Sequence, residues 1–333
     1  MNILLSYLLL ITSVVAFGAA ASAFVALGDV PPPMKSAWRL QITAAAQFLP
    51  CIYEWYNSPE SCILMIKKYL YIPLAAGFFL GMDFVLWTLS LTMTSIAHSM
   101  LFLCSEPVVL VVGSLALMKK VRRTDVIGVM LGMVGMVLVS LDYSNSNSDW
   151  KGDMIALAGC LSTLFYILIG KKALSSYKFP LWSYLIIVNT FAYLYSLVVS
   201  GFFYKDWGYF NWMTQERAGY ALFLGLAPGF FGHTTVNYLT KSLRPVIITA
   251  FVNLEPLFGS FIGWFMGYQG IPGYYTWLGG VVMIIGNLII TVFEAKGKPV
   301  KESTIDLEGK DEAKHTTSLL INELVEAEPS YKC

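Results

Sequence analysis

The sequence predicts an all-α integral membrane protein of ten transmembrane helices arranged as two inverted five-helix repeats. Three observations carry that expectation. Of the 333 residues, 56% are apolar and only 13% charged, whereas a soluble domain carries about 25% charged residues. The apolar residues fall into ten windows of roughly 20 residues, each long enough to cross a hydrocarbon core of about 30 Å. The second half copies the first while its loops change charge.

Apolar windows bounded by turn and charge signals place the first five spans near 3–27, 36–55, 69–90, 94–118 and 124–142. A polar, Ser/Asn-rich break follows at Asp142–Lys151, and the second five spans lie near 153–174, 179–203, 218–240, 246–267 and 274–294. Helix is the state expected for each, because a segment in lipid must satisfy its own backbone hydrogen bonds. The run from Ile3 to Leu27 ends in small residues like a signal peptide. It is longer than a signal core, and no Lys or Arg precedes it, so it reads as the first span. The domains are then a first repeat (1–142), an extracytoplasmic linker (143–152), a second repeat (153–294) and a flexible, mixed-charge cytoplasmic tail (295–333) with a short aliphatic patch at Leu319–Val325.

Loop charge sets the orientation. With a cytoplasmic N-terminus, the inside loops hold eleven basic residues: Lys67, Lys68, Lys119, Lys120, Arg122, Arg123, Lys171, Lys172, Lys178, Lys241 and Arg244. The outside loops hold four, Lys35, Lys151, Lys205 and Arg217. Both termini are expected in the cytoplasm, of either the plasma membrane or an endomembrane.

The repeat is visible at SEPVVLVVGSLAL (105–117) and LEPLFGSFIGWFM (254–266), with Glu106-Pro107 falling on Glu255-Pro256 at an offset of 149. Each leads to a glycine-bearing helix, Gly128 and Gly135 in one copy, Gly279 and Gly286 in the other. Upstream, GFFLG (77–81) corresponds to GLAPG (225–229). An odd number of spans per copy turns the second upside down. The loops agree: KKVRR follows the first Glu-Pro helix, and the uncharged GYQGIPGYY follows the second.

Arg39 at the start of the second span, Pro107 and Pro256 in their helices, the glycine-patterned helices after them, and Gly152-Asp153 opening the sixth span give the chain a family likeness. Over roughly residues 3–294 it resembles the EamA-type branch of the drug/metabolite transporter superfamily. Gly128 and Gly279 also sit where that family usually has glycine. The resemblance implies the ten-helix fold and a carrier for amino acids, purines, sugars conjugated to nucleotides or other metabolites, choosing none of them. Where family members often carry Glu at the ends of the Pro helices, this chain reads Met118-Lys119 and Gly267-Tyr268, with Glu directly before each Pro instead.

Ionisable groups inside spans are costly and mark candidate sites. Glu106 and Glu255 read as mid-helix acids, each beside a Pro that removes one backbone donor. Such a carboxyl can take a proton or bind a cation, or it can be a neutral structural group bonded across the repeats. Asp83 and His233 occupy nearly equivalent places in the two copies, Asp83 sharing a face with Trp87 and His233 with Asn237. Facing one cavity, they could couple solute movement to protons or simply line it. Arg39, Thr43 and Gln47 form one stripe at i, i+4, i+8. Arg39 could bind a carboxylate or phosphate, or snorkel to the interface beside Trp38. Asn189 with Tyr193, Thr163 with Tyr166, and Asn253 with His98 complete the expected lining.

A formal net charge of +1 offers nothing for nucleic acid to bind. The five cysteines show no CxxC spacing and read as small apolar fillers, so neither disulfides nor a metal site is expected, nor any cofactor. No P-loop, HExxH or nucleophile elbow is present. The expectation is a secondary carrier of a small organic metabolite across the lipid bilayer, with proton coupling or exchange both open and a homodimer among the oligomeric states left open. A multispanning enzyme and a receptor or scaffold are the alternatives.

Overall fold

A computed structural model describes residues 3–94, 96–116, 121–142, 149–205, 208–267 and 270–296. It is all-helical, with no strand among the described residues: α1 (Ile3–Ala26), α2 (Pro32–Asn57), α3 (Pro59–Tyr69), α4 (Tyr71–Ser90), α5 (Ile96–Leu103), α6 (Glu106–Ala116), α7 (Arg123–Leu141), α8 (Trp150–Lys171), α9 (Leu181–Phe203), α10 (Gln215–Leu224), α11 (Thr234–Leu239), α12 (Pro245–Val252), α13 (Glu255–Phe265) and α14 (Tyr274–Lys296). A π-helical turn at Lys172–Ser176 extends α8, and a π-helical stretch at Gly225–His233 joins α10 to α11. Residues 1–293 make one compact unit. Residues 143–148 of the linker and the tail from 297, with its aliphatic patch, lie outside the described residues.

Eight of these helical rods are long and apolar enough to cross a membrane. The α2 helix and the α10–α11 rod are not among them, because both carry polar residues on the face they bury. Along α2 that face is Ser36, Arg39, Thr43, Gln47 and Cys51, the stripe read from the sequence. Triple proline at 31–33 starts α2, where a fixed φ suits the first turn and no donor is lost. Pro59 then ends it and opens α3, a separate short helix between the two expected spans 36–55 and 69–90.

The polarity of the unit is turned inside out relative to a soluble protein. Leu4, Leu8, Ile11 and Val15 on α1, and Ile127, Met130, Val134 and Val137 on α7, are exposed at helical spacing, while Arg39, Asp83, Glu106 and Glu255 are buried. Such a surface is suited to lipid and such an interior to a polar site.

Packing follows the small residues. The α2 helix lies along α9, α4 runs against α8 and α9, and α1 packs on α13. Where α7 meets α14, a Cβ on Gly128 would fall 2.6 Å from Gly286 O, and one on Gly135 would fall 2.5 Å from Gly279 O. Gly18 and Gly259 make a similar approach between α1 and α13. Glycine is required at these points because the backbones themselves touch.

Two spans expected to be continuous are broken. The first Glu-Pro span divides after Leu103 and resumes at Glu106, and the second divides after Val252 and resumes at Glu255. The sequence reading set both acids mid-helix; they stand instead at the first position of a new helix segment. There a carboxylate meets the positive end of the backbone dipole, and the missing proline donor costs nothing.

Candidate functional site

Seven helical rods bring charged and aromatic groups together in the interior. Arg39 projects from α2, with Cζ 4.3 Å above the ring of Phe84 and 5.7 Å from that of Phe24. It does not snorkel: only 2% of the residue is exposed. Its electrostatic neighbours are Glu255 and Asp83, and its Nε has no hydrogen-bond partner. A desolvated cation over an aromatic face gains about 2 kcal/mol or more, which holds the guanidinium in place while leaving its edge available.

Asp83, on α4, sits against Gly159 of α8, where a Cβ would fall 3.5 Å from its Oδ1. That oxygen also lacks a partner, as does Nε1 of Trp87 one turn along. Trp87 meets Phe24 edge to face at 5.1 Å. His233 lies at the end of the π-helical stretch with its ring 4.9 Å from Phe17, 5.5 Å from Phe84 and 6.4 Å from Tyr166. Glu106 and Glu255 are electrostatic neighbours of Asp83 and of each other.

A second set of polar residues ties the helices around this cluster. Asn189 Nδ2 donates to Gln47 Oε1 at 3.1 Å, and Gln47 Nε2 donates to Thr234 Oγ1 at 3.3 Å. Thr43 Oγ1 donates to Gly225 O at 2.9 Å, satisfying a carbonyl where the regular ladder is lost. Asn237 Nδ2 donates to Tyr166 OH and to His233 O. Thr43, Gln47, Asn189 and Asn237 are therefore satisfied framework groups. Asn253 is different: it is buried beside Gly132, and its Oδ1 has no partner.

His98 does not join the cluster. Its Nδ1 lies 3.4 Å from Asp153 Oδ2, while Thr94 Oγ1 donates to Asp153 Oδ1 at 2.7 Å. These contacts pin the start of α5 to the first turn of α8, at one end of the bundle. Toward the other end, Arg244 grips Asp125 with two hydrogen bonds of 2.7 and 3.1 Å, and Lys171 Nζ donates to Leu243 O at 3.1 Å. Neither the Arg244–Asp125 pair nor the Phe17, Phe24 and Phe84 rings were singled out from the sequence. Nothing there separates an inward phenylalanine from the many that face lipid. No group of three or more His, Cys, Asp or Glu among the described residues could hold a metal.

Fold and interior together define a multi-pass helical membrane protein built around a buried polar cluster. Residues 150–292 match the model of the EamA-like transporter family, in agreement with the resemblance to the drug/metabolite transporter superfamily. That family is one of transporters, and the match supports a membrane transporter. One solved crystal structure of a protein shares the fold, with a TM-score of 0.70 at 14% identity over 87% of this chain and 98% of that one. No curated protein sequence matches the chain.

Proposed function

We propose that the chain is a secondary carrier that moves a small organic metabolite across its membrane by alternating access. The observation that carries this reading is the buried cluster itself. Arg39 Nε, Asp83 Oδ1 and Trp87 Nε1 are buried polar atoms without partners, and they gather around the Phe24 and Phe84 rings with Asp83 an electrostatic neighbour of Arg39. An unsatisfied buried polar group costs about 1–3 kcal/mol, so three converging on one place argue for a solute that completes them. A carboxylate on the solute suits Arg39, an amino group suits Asp83 or Glu255, and the rings of Phe24, Phe84 and Trp87 suit an apolar body.

Ten spans in two inverted repeats are part of this reading, with α2 and the α10–α11 rod crossing alongside the eight more apolar rods. The glycine contacts support it. In the sequence repeat Gly128 corresponds to Gly279 and Gly135 to Gly286, yet the contacts pair Gly128 with Gly286 and Gly135 with Gly279. That crossed pairing is the one a two-fold axis produces. The matching breaks before Glu106 and Glu255 support it further. Oppositely oriented copies can exchange conformations, exposing a midplane site to each side in turn, with both termini cytoplasmic.

Asp83 is the residue proposed to couple solute to protons. The test is uptake of a metabolite panel into proteoliposomes with and without an imposed pH gradient, comparing wild type with Asp83→Asn. Coupling through Asp83 predicts gradient-driven accumulation that the variant loses while still exchanging solute. Accumulation indifferent to the gradient sinks coupling and leaves a facilitator or exchanger.

A further inference from the structure

An apolar groove of about 650 Å³ runs between α2, α3 and α9, away from the polar cluster. Phe48, Ile52 and Trp55 of α2, Ile66 of α3, and Ile186 and Ile187 of α9 line it. Its polar groups are the Cys51 thiol, the Trp55 indole N–H, the Tyr56 hydroxyl and Ser183, and the last is committed: the Ser183 hydroxyl and backbone N–H both donate to Glu54 Oε2 at 2.8 Å, while Trp182 N donates to Glu54 Oε1 at 3.1 Å. Glu54 thereby caps the N-terminus of α9, so its charge is spent inside the protein. Most of the groove wall is hydrocarbon and aromatic ring, with no charged side chain in the lining. It suits a hydrocarbon chain, with length along α2 from Phe48 to Trp55 of roughly 10 Å at 1.5 Å per residue.

What lies at one end of the groove gives the occupant its headgroup. Ile66 is followed by Lys67 and Lys68, both exposed, at the end of α3. Lys68 Nζ sits 5.1 Å over the Tyr69 ring, Tyr69 packs on Tyr177 at 4.7 Å, and Lys172 Nζ lies 5.7 Å from Tyr177. This aromatic bracket joins two basic segments, from α3 and from the turn after α8. Lys178 follows one residue beyond Tyr177. The acid on α3, Glu60, stands in its opposite, first turn. On the α3 helix Cys62, Met65, Ile66 and Tyr69 turn inward, Glu60, Ser61, Lys67 and Lys68 are exposed, and so are the apolar Ile63 and Leu64 between them. A short helix of that kind, basic at one end, lies at a bilayer surface rather than across it.

We propose that this groove holds an acyl chain of an anionic phospholipid whose headgroup rests on Lys67, Lys68 and the adjoining Lys172. The site is separate from the polar cluster and stands or falls independently of which solute is carried. Basic residues beside an anionic headgroup each strengthen binding about fivefold, so Lys67 and Lys68 together favour phosphatidylserine over phosphatidylcholine by about thirtyfold.

Trp55 in the groove wall is the reporter. The full chain is placed in phosphatidylcholine nanodiscs containing increasing fractions of brominated phosphatidylserine or brominated phosphatidylcholine. The Trp55 contribution to fluorescence is taken as the difference from Trp55→Phe. Half-quenching is expected at a phosphatidylserine mole fraction of about 0.03, against about 0.5 for phosphatidylcholine. Lys67→Gln/Lys68→Gln should move the first curve most of the way to the second, and adding Lys172→Gln should make the two coincide. Ile187→Phe, which fills the groove and keeps the lysines, should protect Trp55 from both lipids. Coincident curves for the two lipids in wild type would mean ordinary surrounding lipid and overturn the proposal. So would unchanged selectivity in Ile187→Phe, or no quenching by either lipid, the result expected if a second copy of the chain covers the groove.

Discussion

Alanine at two helical glycines should shift stability in opposite directions. A methyl group at Gly135 would lie 2.4 Å from Met283 Cγ, 2.5 Å from Gly279 O and 2.8 Å from Met283 N. Two of those three atoms are backbone and cannot swing aside. A carbon–oxygen contact of about 3.3 Å is as close as is comfortable, so α7 and α14 must part by roughly 0.8 Å. A gap of about that size forfeits a quarter to a half of each contact along the seam, and overpacking of this kind costs about 1–3 kcal/mol. Alanine returns at most about 1 kcal/mol through better helix propensity. The expected net loss for Gly135→Ala is therefore about 1–2 kcal/mol. At Gly113 in α6 nothing lies within 4 Å of the added Cβ, so only the gain remains. Among the described residues Cys51, Cys62, Cys104 and Cys160 are free and buried, and in a Cys333→Ser background their reaction with a fluorogenic thiol reagent on heating reports unfolding in detergent. Gly135→Ala should melt several degrees below wild type, and Gly113→Ala at or slightly above it. If Gly135→Ala melts with or above wild type, the close α7–α14 approach is not what holds these helices.

The Arg244–Asp125 pair joins the start of α12 to the start of α7. Asp125→Asn should lower stability by about 1–3 kcal/mol, toward the lower figure because the Arg244 side chain is 25% exposed. Asp125→Asn/Arg244→Gln should recover part of that loss in the same melting assay. At the interior cluster, Arg39→Lys keeps the charge but gives up the flat guanidinium over Phe84. It should reduce solute uptake at least tenfold in a protein that still melts cooperatively, at most several degrees below wild type, and uptake equal to wild type would remove Arg39 from the site.

Periodicity carried the lateral half of this structure. The Arg39, Thr43, Gln47 stripe is buried as its spacing required, and the glycines at 128, 135, 279 and 286 meet in the crossed pairs a repeat allows. Position along the bundle axis was much less legible. His98 shares a span with Glu106, yet it sits at the end of the bundle on Asp153, because a helical stripe says which way a residue faces and not how deep it lies. The breaks before Glu106 and Glu255 were hidden because apolar windows run straight through them. The α3 helix was hidden by the opposite property: it is too short and too polar to register as a span. The π-helical stretch over Gly225–His233, with Pro228 inside it, depends on Thr43 reaching across from α2 to the Gly225 carbonyl. No local pattern encodes that partner.

The central claim, that a small organic metabolite crosses through the interior cluster, is tested most directly by counterflow. Proteoliposomes preloaded with each unlabelled candidate solute are diluted into a trace of the labelled form, with wild type and Arg39→Ala in parallel. Transient accumulation of at least one solute in wild type, abolished in Arg39→Ala that still melts cooperatively, is the result expected. Counterflow that persists unchanged in Arg39→Ala would put the pathway elsewhere, and no counterflow of any solute in folded wild type would contradict the carrier reading itself.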